Sequence, residues 1–193
     1  NGQDVTRKKP HQRARLGMGS TFQITPFFGD FSTFDNIKAS YYLSADRSLW
    51  GSLLHTRKYC QREENIRKLA EANLAFVGLD KVRDELAKNL PHGHQKVLDL
   101  AAALAIKPKL LLLDEPIGGM SGGETEFALN AIRKVNQQGT AILLVEHNVS
   151  IVMELCQHIV VLNYGRKIAE GAPEEVKANP EVMRAYFGEE YAA

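Results

Sequence analysis

The sequence predicts an α/β fold: an open, mostly parallel sheet set between helices, with a helical segment inserted into it. Three observations point there. Residues 109–116 read KLLLLDEP, four consecutive leucines running into two carboxylates. An apolar run of that length without alternation fits a strand buried on both faces, as in a parallel sheet covered by helices. A buried helix segment is the competing reading, and Pro108 and Pro116 at the ends of the run favour a short strand. Residues 140–147, TAILLVEH, repeat the arrangement and end in Glu146 and His147. Between about residue 35 and residue 88 no strand signal occurs, so that stretch is expected to be helical.

Composition bounds the rest. A chain of 193 residues fits one domain, or one core with a subdomain. The 24 basic and 23 acidic residues nearly cancel, so nothing in the charge balance calls for nucleic acid. The run RKKPHQRAR at 7–15 is locally basic, and a solvated loop or helix face accounts for it better than a binding patch does. Cys60 and Cys156 stand far apart, without metal-ligand spacing. No apolar run approaches the roughly 18 residues of a membrane span, and no signal peptide is visible.

In chain order, residues 10–16 suit a short helix. Residues 17–24, GMGSTFQI, suit a strand that delivers Gln23 at its end. PFFGDFSTF at 26–34 places four phenylalanines within eight residues, which fits core packing and an exposed docking surface alike. Asp35 suits the cap of a helix over 36–43. A bulky stretch around Trp50 follows at 48–55. Residues 62–77 carry Ile66, Leu69, Ala70, Leu74 and Val77 at helical spacing. A helical turn is expected at 81–87. LPHGHQ at 90–95 is a polar, Gly-containing loop, and an Ala/Leu-rich buried helix is expected over 96–106. Such a loop either offers backbone N–H groups to an anion or is an ordinary helix entry. After the Leu-rich strand, IGGMSGGET at 117–125 leads into a helix with Glu124 in its first turn. An amphipathic helix runs to 138 and Gly139 closes it. A helix at 150–156, a strand at 158–162, a hairpin turn at 163–166 and two short helices at 173–178 and 180–187 complete the chain.

The chemistry sits at strand ends. Ligands bind outside the carboxyl ends of parallel strands. If the two apolar strands are parallel neighbours, Asp114, Glu115 and His147 face one crevice. Mg²⁺ with a phosphate suits that set: one carboxylate for the metal, one for a water, an imidazole for a phosphoryl oxygen.

The order of these features resembles the ATP-binding subunit of an ABC transporter over essentially the whole chain. A strand ends in Gln. An aromatic loop, a helical insertion, LPHGHQ, a buried helix, LLLLDEP, a Gly-rich turn, a strand ending in EH, and LNYGRKIAEG follow. Within that family, RLGMGSTFQI, the long insertion and NPEVMRAYFGEEY are similar to the branched-chain amino acid importer group. The resemblance implies a RecA-like P-loop NTPase core formed by residues 1–34 and 92–193. It implies a helical subdomain over 35–91, with the signature motif at its end.

The resemblance also implies roles. Gln23 matches the Q-loop glutamine, which senses Mg²⁺ and the γ-phosphate. Leu90, Pro91, His92, Gly93, His94 and Gln95 match the signature, which meets the nucleotide of the opposite subunit. Asp114 matches the Walker B aspartate that holds Mg²⁺ through water, and Glu115 the catalytic glutamate. Gly118, Gly119, Met120 and Ser121 match the D-loop, and His147 the switch histidine. Phe27 and Phe28 fall where a permease helix would dock. The implied cofactors are ATP and Mg²⁺. The implied partners are transmembrane permease subunits, a second ATP-binding subunit and, indirectly, an extracellular or periplasmic binding protein. The implied location is the cytoplasmic face of the membrane, as a peripheral protein.

Departures accompany the match. No G-x-x-x-x-G-K-S/T sequence occurs. In the family that loop lies upstream of the first residue here, so an N-terminally truncated sequence is expected, with a P-loop-free paralogue as the alternative. Pro91 replaces the usual Ser, His94 the common Gln, Ala102 an Arg and Ser121 an Asp or Asn. Competing functions are a urea, amide or lipid transporter ATPase, a soluble ABC ATPase acting on DNA or ribosomes, and a non-catalytic interaction module. The soluble ATPase would bring a second cassette or strongly basic surfaces, and this near-neutral chain has neither.

Overall fold

The computed structural model describes residues 2, 4–21, 27–42 and 56–187. The leucine run becomes strand β2 (Leu110–Asp114). It lies between β1 (Met18–Ser20) and β3 (Ala141–Val145) in a parallel sheet of order β1-β2-β3. Register pairs Gly19 with Leu111, Leu111 with Ile142, and Asp114 with Val145. Side chains alternate along a strand, so Leu111, Leu113, Ile142 and Leu144 share one face. Helices α4 (His92–Leu104) and α5 (Gly122–Gln137) cover it: Leu113 shares a small cavity with Val97, Leu100, Ala128 and Ile132. Gly19 is small because a side chain there would meet Leu111 Cδ1 at 3.1 Å and Pro108 Cβ at 3.2 Å. The other face is open. Leu143 and Val145 are 57% and 56% exposed, while Leu110 and Leu112 are half-buried. The expectation that both strands are buried on both faces is thereby corrected: among the described residues the face under α4 and α5 is packed, and β3 is exposed on the other.

The described residues between β1 and β2 form helices and turns, as the pattern predicts. Preceded by a short α1 (Pro10–Arg15), they contain α2 (Thr33–Tyr42) and α3 (Arg57–Val77), with α2 packed on both α3 and α4. In α3, Ile66, Ala70, Asn73, Leu74 and Val77 form the buried stripe. Leu69, expected in that stripe, is 40% exposed at its margin. Thr56 Oγ1 accepts from the Tyr59 N–H to start α3, and Gly78, at φ 84°, ends it. Asn73 Nδ2 donates to the Ala101 carbonyl at 2.8 Å and ties α3 to α4. Two 3₁₀ turns, Asp80–Val82 and Ala87–Asn89, lead into α4.

Helix α4 begins at His92, inside the polar stretch read as a loop ahead of residue 96. Pro91 sets the entry, its φ of −53° and ψ of 151° being those of an N-cap. An oxygen from α5 then satisfies the Gly93 N–H, so the first turn holds.

The chain divides into two compact units, Asn1–Val145 and Glu146–Ala193. The second contains α6 (Val149–Leu155), the antiparallel hairpin β4 (Ile159–Asn163) and β5 (Arg166–Gly171), α7 (Pro173–Lys177) and α8 (Pro180–Phe187). Tyr164 and Gly165, at φ 46° and 75°, make the hairpin turn. Ile159, Val161, Val176 and Val182 are its core. The readings that fall on Gln23, on residues 48–55 and on the tail from 189 lie outside the described residues.

Candidate functional site

Two carboxylates close β2. Asp114 is its last residue, exposed, beside Val145 of β3. Glu115 follows with φ 44°, left-handed backbone that a side chain of its size rarely takes. Its N–H donates to the Val145 carbonyl at 2.9 Å, and its own carbonyl accepts from Gly118 N–H at 3.3 Å. The conformation costs roughly 1–2 kcal/mol, and such strain concentrates at functional sites. The turn aims the chain out of the sheet at the edge where ligands bind in this class of fold.

The six residues 90–95 divide by what they touch. Leu90 is buried, and Gln95 Nε2 donates to its carbonyl at 3.0 Å, closing the entry to α4. Pro91 is exposed and offers no side-chain cap. His92 Nε2 lies 3.1 Å from the Gly118 carbonyl. Gly93 is buried, and its N–H donates to Glu124 Oε1 at 2.9 Å. The His94 ring stacks on Phe127, with centroids 4.8 Å apart. The structure therefore brings residues 90–95 against residues 118–124 within one chain. Gly119, at φ 75°, passes close to the His92 ring; Met120 is half-buried and Ser121 exposed.

Glu124 joins the two segments. Its Oε2 accepts from Ser121 Oγ at 2.7 Å and from Ser121 N–H at 3.1 Å. The Gly93 N–H, then the Ser121 hydroxyl and N–H, hold its carboxyl down at about 2. The sequence carries a signal for half of this: Ser121 and Glu124 have the spacing of a capping box at the start of α5. The partner Gly93, 31 residues away, has no such signal.

The aromatic stretch is sorted by Asn36, which the sequence reading passed over. This buried side chain accepts from the Phe28 N–H at 2.8 Å and donates to the Phe28 and Ser32 carbonyls at 3.0 Å each. The loop it holds leaves Phe28 and Phe31 60% and 48% exposed, ring centroids 5.1 Å apart. Phe27 is half-buried, and Phe34 packs under the Arg83 guanidinium at 4.2 Å.

His147 lies two residues beyond β3, exposed, at the start of the second unit, just ahead of the Asn148 cap of α6. Gln23 lies outside the described residues. Among the described residues no group of three or more His, Cys, Asp or Glu side chains is placed to hold a metal. Asp114 and Glu115 offer hard oxygen donors of the kind that suits Mg²⁺ keeping several of its waters. No described helix is long and apolar enough to cross a membrane.

Comparison with known proteins agrees with this geometry. Residues 1–118 match the family model described as ABC transporter. Residues 166–192 match that of the branched-chain amino acid ATP-binding cassette transporter. The chain is 34% identical over 179 residues to a high-affinity branched-chain amino acid transport ATP-binding protein, LivG, of Salmonella typhimurium; the match covers 92% of the chain and 70% of that protein. A second such protein, BraF of Pseudomonas aeruginosa, is 30% identical, with 98% and 74% covered. Among solved structures, an ATP-binding cassette of an ABC transporter in its ADP conformation superposes with a TM-score of 0.77 at 28% identity, over 97% of this chain and 74% of that one. The chain belongs to the ABC transporter family of ATP-binding cassettes, ATPases coupled to transport.

Proposed function

We propose that this chain is the ATP-hydrolysing subunit of an importer for branched-chain amino acids or related amino acids and amides, bound to permease subunits at the cytoplasmic face of the membrane. The substrate class rests on the relatives' names and on the match of residues 166–192. The observation that carries the catalytic reading is Glu115. Its strained backbone, pinned to the Val145 carbonyl, stands at the carboxyl end of a parallel strand.

Mg²⁺-ATP, when bound, supplies the phosphoryl group and the charge that compensates it. Asp114 would hold the metal, which would offset phosphate charge. Glu115 orients the attacking water and accepts its proton as the bond forms. His147 donates to the terminal phosphate, and Gln23 links that phosphate to the permease contact. Residues 90–95 meet the nucleotide of a second ATP-binding subunit, towards which Gly118, Gly119, Met120 and Ser121 run. The chain has no G-x-x-x-x-G-K-S/T sequence, so the donors such a loop gives to phosphates are not among its residues. Residues 1–34 and 92–193 form the ATPase core and 35–91 the helical subdomain. Phe28 and the half-buried Phe27 are the anchors for a permease helix.

The test is Glu115→Gln in the assembled transporter. The amide keeps shape and hydrogen bonding and removes the charge. ATP binding should persist, hydrolysis should fall by about two orders of magnitude or more, and the ATP-bound dimer should accumulate. Turnover equal to the parent's would remove Glu115 from catalysis.

A further inference from the structure

The positive end of α4 is closed by a carboxylate from another helix. Pro91, at its N-cap, has neither a side-chain acceptor for the first turn nor a donor for a ligand. The Gly93 N–H is the first-turn donor with a defined partner, and that partner is Glu124 Oε1 at 2.9 Å. The approach is tight: a side chain on Gly93 would meet Glu124 Cβ at 2.6 Å. One N–H makes one strong hydrogen bond at a time. A carboxylate and a phosphate in the same place also repel each other. A phosphate that takes the Gly93 N–H therefore has to displace Glu124. The second carboxylate oxygen gives the residue somewhere to stay, because Ser121 Oγ and N–H hold Oε2 independently of Gly93.

We propose that Glu124 is a positioning residue that holds Gly93 shut and yields it only to the terminal phosphate of a nucleotide. The proposal rests on the reading of residues 90–95 as the surface that meets a second subunit's nucleotide. The internal anion sets how much ATP is needed to close the pair of cassettes, because ATP competes with it. The lowered pKa of Glu124 agrees, since the group is an anion throughout the working pH range.

The experiment uses the assembled transporter and reads ATP hydrolysis against ATP concentration, with thermal unfolding beside it. Glu124→Gln removes the charge, and KM for ATP should fall several-fold. A residue that merely capped the helix would instead lower kcat and the unfolding midpoint together, with no fall in KM, and that result overturns the proposal. Ser121→Ala leaves the charge and removes the hydroxyl that pins Oε2. With less to hold the displaced carboxylate it should raise KM, by a smaller factor, and it carries the test alone if Glu124→Gln does not fold; an unmoved KM there also overturns it. A third arm labels Pro91→Cys with a maleimide, read at that position by mass spectrometry, with and without ATP. Protection by ATP with an unchanged KM in Glu124→Gln overturns the proposal alone. No protection overturns it together with the reading it rests on.

Discussion

At the scale of single residues, Glu124 has a consequence that can be titrated. Its carboxyl lies at about 2 in the folded protein, against an ordinary 4.5, held down first by the Gly93 N–H. A group depressed in this way stabilises the fold fully above its unfolded value and loses that contribution as pH falls towards its folded one. The window is therefore pH 4.5 down to about 2. Glu124→Gln cannot titrate, so its stability should fall less steeply with acid across that window than the parent's, by urea unfolding at a series of pH values. Parallel slopes would contradict the linkage. Residues of this kind divide by how far their chemistry reaches along the chain. Asp114 and Glu115 are legible because an apolar run delivers them to a strand end. The contact of Glu124 with Gly93 depends on how α4 crosses α5, and no local spacing encodes a crossing.

At the scale of elements, Asn36 shows a loop fixed from inside a helix. Its amide satisfies backbone groups of Phe28 and Ser32, and so decides which rings reach the surface. Asn36→Ala leaves those buried groups unpaired and should cost about 1–3 kcal/mol in urea unfolding. In the assembled transporter it should also weaken permease association, although no ring is touched. Phe28→Ala should weaken association by about 1–3 kcal/mol with little change in stability. Pull-down that finds Asn36→Ala bound as tightly as the parent would detach the loop from docking. The order of strands and helices was readable from period and punctuation. The start of α4 was not, because Pro and Gly in LPHGHQ read as loop residues until a tertiary partner for the first-turn N–H is in place. The open face of the sheet was likewise unreadable. Four leucines say that a strand wants cover on both sides, and only the folded neighbours say which side receives it.

At the scale of the whole chain, the 193 residues combine the carboxylates proposed for catalysis with no G-x-x-x-x-G-K-S/T loop. Most phosphate donors in this class of site come from such a loop. The chain by itself should bind ATP no more tightly than millimolar and show no ATPase activity; micromolar binding by calorimetry would reveal a phosphate site not described above. Leu143 and Val145, exposed side by side on one sheet face with β3 as its edge, should make the chain alone prone to self-association. The register of that sheet also sets a schedule. Met18 pairs with Leu110, about 90 residues downstream, and Leu110 in turn with Ala141. At a synthesis rate of roughly 5–20 residues per second, β1 waits about 5–20 s on the ribosome before its neighbour has even been made. Late in that interval α2 and α3 can pair locally, whereas Met18–Ser20 has no strand to pair with until Leu110 is made. Met18–Ser20, though made early, is thus among the last pieces of this sheet to be secured.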